Sequence, residues 1–316
     1  MSANAMPKNS VSPPVVTGTQ QPQVVVEAFP ICPACGRHRE QAVARLRVDS
    51  ARGESSWAWC NSCGAYHLTG DYDRAAEAAH TVHMPWGQLQ EGLRLNDFKK
   101  RMFDAALAGI KAHAPEARTI LDVGCSFGGF LLAARNQGYD GSGVDIVPEA
   151  VDYVRQQGFA AEQCESLAHC QLFSEHNPVD VLAVLDAHIY WPNQPAELAA
   201  AWRLIKPGGL LVMRVITKSH FVSIGLLIES IAPKFGRKLI RRSVTDHRFC
   251  MPLKSLLQTI EVCGFRIESV VPRDALHSNN SSLPVRWLFA IGGLSWKMLR
   301  CQLAPATMII ARKPST

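Results

Sequence analysis

The chain has 316 residues, 47% of them hydrophobic, and a formal net charge of +6. That length supports one large domain and a small one, each with a buried core. The charge is too mild to demand nucleic acid or an anionic membrane as partner, and no uncharged apolar run of about 18 residues is present, which argues against a spanning helix.

The first residues, MSANAMPKNSVSPPVV, have no apolar segment behind their positive charge, so no secretion signal is expected and a cytoplasmic location is. Residues 1–27, rich in Ser, Pro, Gln and Thr, read as a disordered tail. Residues 28–70 form a cysteine module. Cys32-Pro-Ala-Cys35-Gly36 and Cys60-Asn-Ser-Cys63-Gly64 are two C-x-x-C knuckles with the spacing of a four-thiolate zinc ribbon, and each glycine permits a tight turn around a metal. In a reducing compartment these pairs read as metal ligands rather than disulfides. Four thiolates fill a tetrahedral site, so the zinc is expected to be structural. His38 and His67 are the alternative ligands, and the other six cysteines read as small core or loop residues.

Between the knuckles, VARLRV and SSWAWC read as a hairpin. Trp57 and Trp59 point to one face, as do Arg45 and Arg47 on the partner strand. Aromatic rings with arginines suit stacking on nucleobases or sugars. The plainer reading, preferred here, is that the tryptophans glue the ribbon to the next domain. Ribbon and domain are expected to keep separate cores.

Residues 71–117 read as a helical linker, with Leu89, Leu93, Phe98, Met102, Phe103 and Leu107 at broadly helical spacing. From residue 118 to 316, apolar strands alternate with helices, which argues for a parallel sheet covered on both faces. Strands are expected at 119–123, 141–145, 159–163, 179–185, 210–216, 265–271 and 306–312, and helices at 129–137, 148–157, 196–205 and 253–262. Two insertions interrupt this pattern, at 217–252 and 275–305. The first joins an amphipathic stretch to the cations Lys234, Arg237, Lys238, Arg241 and Arg242; a solvated helix face or a contact with phosphate or an anionic membrane both fit. The second, with Trp287, Phe289 and Trp296, suits a roof over an apolar pocket, a homodimer contact or a membrane surface.

The chemistry starts at LDVGCSFGGF, residues 121–130. A dinucleotide fingerprint, G-x-G-x-x-G, needs glycine where Ser126 stands, and Asp122 is not part of it. Asp145 ends the next strand, where a carboxylate accepts hydrogen bonds from the ribose of any adenosine cofactor. With the Pro-Gly-Gly turn of LIKPGGLLVM, these residues resemble the class I S-adenosylmethionine-dependent methyltransferases, whose first motif is (D/E)-x-G-x-(G/S)-x-G. The resemblance spans about residues 118–275. It implies a Rossmann-like α/β sheet, mostly parallel with an antiparallel last strand, and S-adenosyl-L-methionine as cofactor. Asp122 and Gly124 would line the methionine end of that cofactor, with Ser126 and Gly128 in the same loop. Asp145 would hold the ribose, Ile146 would pack on the adenine, and Glu165 would meet the adenine amino group unless it is a solvated loop carboxylate. Asp186 would border the methyl-transfer zone.

Methyl transfer is a displacement at a sulfonium, so the protein supplies alignment and, for an oxygen nucleophile, proton removal. Related sequences carry D-V-L-E-H-L-P-(D/N)-P after the fourth strand, whereas this chain has DAHIYWPNQP, with Ile189 and Tyr190 at the Glu-His positions. That departure removes one base. His247, in HRFCMPLKSLLQTIEVCGF, falls on a matched histidine and is the first candidate; His188, Tyr190 and His220 follow. The resemblance implies methyl transfer to a small-molecule or glycan-linked acceptor, at oxygen before carbon or nitrogen. The alternatives are an RNA base methyltransferase with a zinc module, and an adaptor whose methyltransferase fold has lost activity.

Overall fold

The computed structural model describes residues 31–37, 45–50, 53–69, 97–244, 248–271 and 306–315, with isolated helical positions between 291 and 298. The tail at 1–27, residues 71–96 of the helical stretch, His38 and His247 lie outside the described residues, as do Trp287, Phe289 and Trp296 of the second insertion.

Three short strands open the fold: β1 (Arg45–Ser50), β2 (Gly53–Trp59) and β3 (Tyr66–Thr69), each antiparallel to the next. Helix α1 (Asp97–His113) leads into β4 (Thr119–Val123), α2 (Gly129–Arg135), β5 (Asp140–Asp145), α3 (Pro148–Gln156) and β6 (Ala160–Gln163). The second half runs β7 (Val179–Leu185), α4 (Gln194–Leu204), β8 (Ile205–Ile216), α5 (Ser219–Glu229), α6 (Pro233–Val244), β9 (Phe249–Cys250), α7 (Leu253–Val262), β10 (Arg266–Val271) and β11 (Ala306–Arg312).

Seven strands form one sheet in the order β10-β11-β8-β7-β4-β5-β6. The five from β8 to β6 are parallel, whereas β11 runs antiparallel to both β8 and β10. This is the mostly parallel α/β sheet that the strand–helix alternation predicts. Strand residues buried on both faces divide between two layers. Ile120, Val181 and Val212 face Met102, Phe103 and Leu107 of α1 and Phe130 of α2. Leu121, Leu182 and Leu211 face Leu198 of α4 and Leu256 and Ile260 of α7. Pro148 occupies the start of α3, where its missing N–H costs nothing.

The expectation of separate cores is corrected. Cys32, Ala34, Cys60 and Ala65 of the ribbon are buried in the same apolar cluster as Leu121, Leu198, Leu253 and Leu256. The reason is β9, which adds a fourth strand to the ribbon sheet by pairing Cys250 with Tyr66 and Phe249 with His67. Gln194 at the start of α4 donates through its backbone N–H to Pro33 O (2.8 Å) and through Nε2 to Ala34 O (3.3 Å). Ser255 Oγ donates to Cys63 O (2.8 Å).

The hairpin register corrects the reading of its faces. Leu46 lies opposite Trp57 and Arg47 opposite Ser56, so the arginine positions are on the face away from the tryptophans. Trp57 is buried with Val48, Tyr66, Val222, Ile240 and Val244, which fixes the ribbon to α5 and α6. Trp59 is 40% exposed. One tryptophan therefore glues the modules together, and the register sets Arg47 on the face opposite Trp57.

Candidate cofactor and metal sites

The turn after β4 is built from left-handed residues. Gly124 (φ 75°), Ser126 (φ 48°) and Gly128 (φ 75°) alternate with ordinary ones, which curls the chain from the end of β4 into α2. A Cβ on Gly124 would lie 2.6 Å from Ala187 Cβ, so only glycine lets this turn approach the end of β7. Ser126 accepts the strained conformation because its N–H donates to Asp145 Oδ2 (2.7 Å). The other oxygen of Asp145 accepts from Val147 N–H (3.0 Å). Asp145 thus ties the glycine turn to the end of β5, and each carboxylate oxygen retains acceptor capacity for a further donor. Burial raises its carboxyl pKa, and the N–H groups of Val147 and Ser126 oppose that shift.

Asp122 is buried at the end of β4. Burial first, and then the charge of Asp145, push its carboxyl up to about 7, against the pull of Lys99. Lys99, in the first turns of α1, feels Asp186, Arg214 and Asp122, and burial lowers its own pKa. Arg214 is buried near the C-terminal end of β8 and forms an ion pair with Asp186 just past the end of β7. The Asp186 N–H also donates to Arg214 O (3.0 Å), and Asp186 itself is left-handed (φ 68°). The site thus carries three carboxylates, Asp122, Asp145 and Asp186, and two basic side chains, Lys99 and Arg214, which escape sequence reasoning.

Downstream, a short 3-10 turn spans His188–Tyr190. His188 is buried edge-on to Phe249 at 6.1 Å, and burial pushes its pKa down to about 4, so the imidazole is neutral at pH 7. Asp186 Oδ1 and His188 Nδ1 are buried without a hydrogen-bond partner among the described residues. Tyr190 closes the turn through its N–H to Ala187 O (3.1 Å). Arg248 N–H donates to Ile189 O (3.1 Å), which ties the start of the segment leading to β9 to this turn.

Beyond β5, Ile146 packs with Phe127, Val147, Ala150 and Tyr153. Gln163 Nε2 donates to Ile146 O (3.2 Å) and Cys164 N–H to Asp145 O (2.9 Å), which holds the loop containing Glu165 beside the end of β5. Glu165 itself is exposed.

In the ribbon, the Sγ atoms of Cys32, Cys35, Cys60 and Cys63 all lie within 4.8 Å of one another. The pairs Cys32–Cys63 and Cys35–Cys60 are 4.0 and 3.8 Å apart. Tetrahedral zinc with Zn–S of about 2.3 Å requires sulfurs about 3.8 Å apart, so the donor set and its size fit that ion. Gly36 N–H donates to Cys32 O (2.8 Å) and Gly64 N–H to Cys60 O (2.6 Å), closing both knuckles with each glycine left-handed. His67 Nδ1 pairs with Leu68 O (2.9 Å), and His67 is not part of the sulfur cluster. Cys125 and Cys250 are buried, while Cys164, Cys170 and Cys263 are half-buried, all with free thiols.

Residues 88–270, more than half of the chain, match the profile of a family described as a methyltransferase domain. The ubiquinone biosynthesis O-methyltransferase of Methylococcus capsulatus is 26% identical over 183 residues, 56% of this chain and 73% of that protein. The enzyme of the same name from Xylella fastidiosa is 29% identical over 159 residues, 48% of this chain and 62% of the relative. Among solved structures, a TehB-like SAM-dependent methyltransferase from Corynebacterium glutamicum superposes with a TM-score of 0.45 at 15% identity, covering 76% of this chain and 100% of that one.

Proposed function

We propose an oxygen methyltransferase of small molecules: the chain belongs to the methyltransferase-domain family and uses S-adenosylmethionine, and the acceptor inferred here is a hydroxyl group. The observation that carries the choice of oxygen and of a small acceptor is the likeness, across the sheet, to proteins named O-methyltransferases of ubiquinone biosynthesis. No described helix is long and apolar enough to cross a membrane.

Bound at the glycine turn, the cofactor supplies a methyl group on a sulfonium, which needs no further activation. Gly124, Ser126 and Gly128 shape the turn, Asp145 has acceptor capacity for ribose hydroxyls, and Ile146 offers an apolar wall for the adenine, with Glu165 at its rim. Asp122 is the carboxylate for the cationic amino group. Asp186 and His188 carry the buried polar atoms that a bound molecule would satisfy. His188, neutral and packed on Phe249, fits a lining role better than that of a base. His247 remains the first candidate to take the acceptor proton, from its matched position in HRFCMPLKSLLQTIEVCGF; Tyr190 is second and His220 third. We assign the four cysteines to one structural zinc ion.

The test pairs the purified full chain and methyl-labelled S-adenosylmethionine with a panel of hydroxylated aromatics, sugar nucleotides and bulk RNA. Label in a hydroxylated small molecule supports the proposal. Label only in RNA would favour the base-methyltransferase alternative, and none anywhere would favour the adaptor. On the accepted substrate, His247→Ala should reduce turnover by about 10² to 10⁴-fold with little change in cofactor affinity. Near-full turnover of that variant would move the base elsewhere.

A pH dependence follows from Asp122. Its folded pKa, about 7, stands above the ordinary carboxylate value of 3.8. The folded, ligand-free chain therefore holds a proton that the unfolded chain has released across that window, and stability falls as pH rises through it. A cationic amino group favours the carboxylate, so cofactor affinity should rise with pH up to about 7, by at most about tenfold per unit, and then level. Calorimetry from pH 5 to 7 should show proton release on binding, and Asp122→Asn should flatten the dependence. A flat profile in the parent protein would remove Asp122 from this role.

A further inference from the structure

The insertion at 219–244 is a helical hairpin whose apolar residues are on the wrong side for a soluble surface. Leu227, Ile231 and Phe235 are 70%, 85% and 73% exposed, and Ile224 joins them. Ile224 and Leu227 share one face of α5, Ile231 lies in the turn that follows it, and Phe235 is in the first turn of α6. This tip is held out rigidly. A Cβ on Gly236 would lie 2.5 Å from the Glu229 backbone and one on Gly225 2.6 Å from Ile240, so the two helices cross backbone to backbone. The inner stripe of α6, Gly236, Ile240, Ser243 and Val244, is buried toward α5 and the ribbon. Its outer face carries Lys234, Arg237, Lys238, Arg241 and Arg242, all exposed. Against these five cations the hairpin has one carboxylate, Glu229, which is paired with Arg237 at 2.9 Å.

We propose that the tip of the α5–α6 hairpin docks the protein on an anionic lipid bilayer, with Leu227, Ile231 and Phe235 entering the headgroup–acyl boundary and the α6 cations meeting lipid phosphates. Bulky aliphatic side chains ringed by lysine and arginine are the composition of interfacial helices. The other occupants fit less well. A second copy placed symmetrically on this face would bring two sets of cations together. Single-stranded RNA would use the cations but gain nothing from Leu227 and Ile231, which offer no face for base stacking. The hairpin follows directly on β8, at the C-terminal end of the parallel strands. Docking there turns the end of the sheet that holds Asp122, Asp145 and Asp186 toward the membrane. The proposal does not depend on the identity of the methyl acceptor.

The test is co-sedimentation of the full chain with phosphatidylcholine vesicles, with and without phosphatidylglycerol. Binding should require the anionic lipid, with at least about a tenfold preference, and weaken with salt. Ile231→Ser with Phe235→Ser, and separately Lys234→Glu with Lys238→Glu, should each lower vesicle affinity by about tenfold or more. These residues are exposed, so circular dichroism and S-adenosylmethionine affinity should not change. Equal binding to both vesicle types, or parent-like binding by both double variants, would overturn the proposal. So would a concentration-dependent dimer that the Ile231→Ser, Phe235→Ser variant abolishes, or displacement from vesicles by RNA alone at constant ionic strength.

Discussion

A Cys60→Ser variant should lose its zinc and, with it, methyl transfer to the acceptor, while retaining measurable S-adenosylmethionine binding. Structural zinc in small ribbons is bound with apparent free energies of about 10–16 kcal/mol, most of it coupled to folding. Here the loss does not stop at the ribbon, because Cys32, Ala34, Cys60 and Ala65 belong to the cluster that also contains Leu198, Leu253 and Leu256. The Cys63 carbonyl anchors Ser255 of α7, and the Pro33 and Ala34 carbonyls anchor Gln194 of α4. The β3–β9 pairing holds Phe249 against His188, two residues past Asp186. The acceptor side of the sheet is thus braced by the ribbon. The Asp145 hydrogen bonds to Ser126 and Val147 hold the glycine turn from the end of β5 and involve no ribbon atom. Metal analysis should find less than one zinc per chain, and the unfolding midpoint should fall by roughly 10 °C or more, given about 2–4 °C per kcal/mol for a chain of this class. An unchanged midpoint with full turnover would show that ribbon and sheet are independent after all.

The strands and most helices were legible because each signal is local. Alternating apolar runs and helical periods mark the sheet elements within a residue or two for β4, β7, β11 and α7. The four cysteines were legible because ligand spacing is set by the knuckle turn itself. What escaped is set by distant pairing. Strand β9 is two residues long and leaves no periodicity, yet it joins the ribbon to the sheet domain. Arg214 sits inside the apolar run LLVMRVI, where a strand pattern makes it a neutral passenger; only the adjacency of β7 and β8 brings it to Asp186. Lys99 reads as one of two consecutive surface lysines, and the fold of α1 over the strand ends is what turns it toward Asp122. The hairpin is legible in the two short strands between the knuckles, but a register shift of one residue exchanges faces, so the Trp–Arg relation does not follow from composition.

Asp186→Ala should destabilise the protein by about 3–5 kcal/mol, because it leaves a buried guanidinium without its carboxylate. The asymmetry of the pair makes this sharper. The Arg214 side chain is 2% exposed and that of Asp186 22%, so the aspartate is the better solvated of the two. Arg214→Leu, which leaves the better-solvated partner behind and fills apolar volume between strands, should therefore cost less than Asp186→Ala in urea titrations. Part of the alanine cost belongs to the backbone, since Asp186 holds φ at 68°. Asp186→Gly separates the two contributions: glycine removes the charge equally but tolerates the left-handed conformation, so it should recover about 1 kcal/mol relative to alanine. If glycine recovered the whole loss, the ion pair would contribute nothing to stability, and Arg214 would have to be compensated by groups other than Asp186. If Arg214→Leu proved as damaging as Asp186→Ala, packing around the guanidinium rather than its unpaired charge would be the dominant effect. Neither outcome is expected, because the Arg214 side chain, near the end of β8 between the fully buried Met213 and Val215, is only 2% exposed and loses the carboxylate it pairs with.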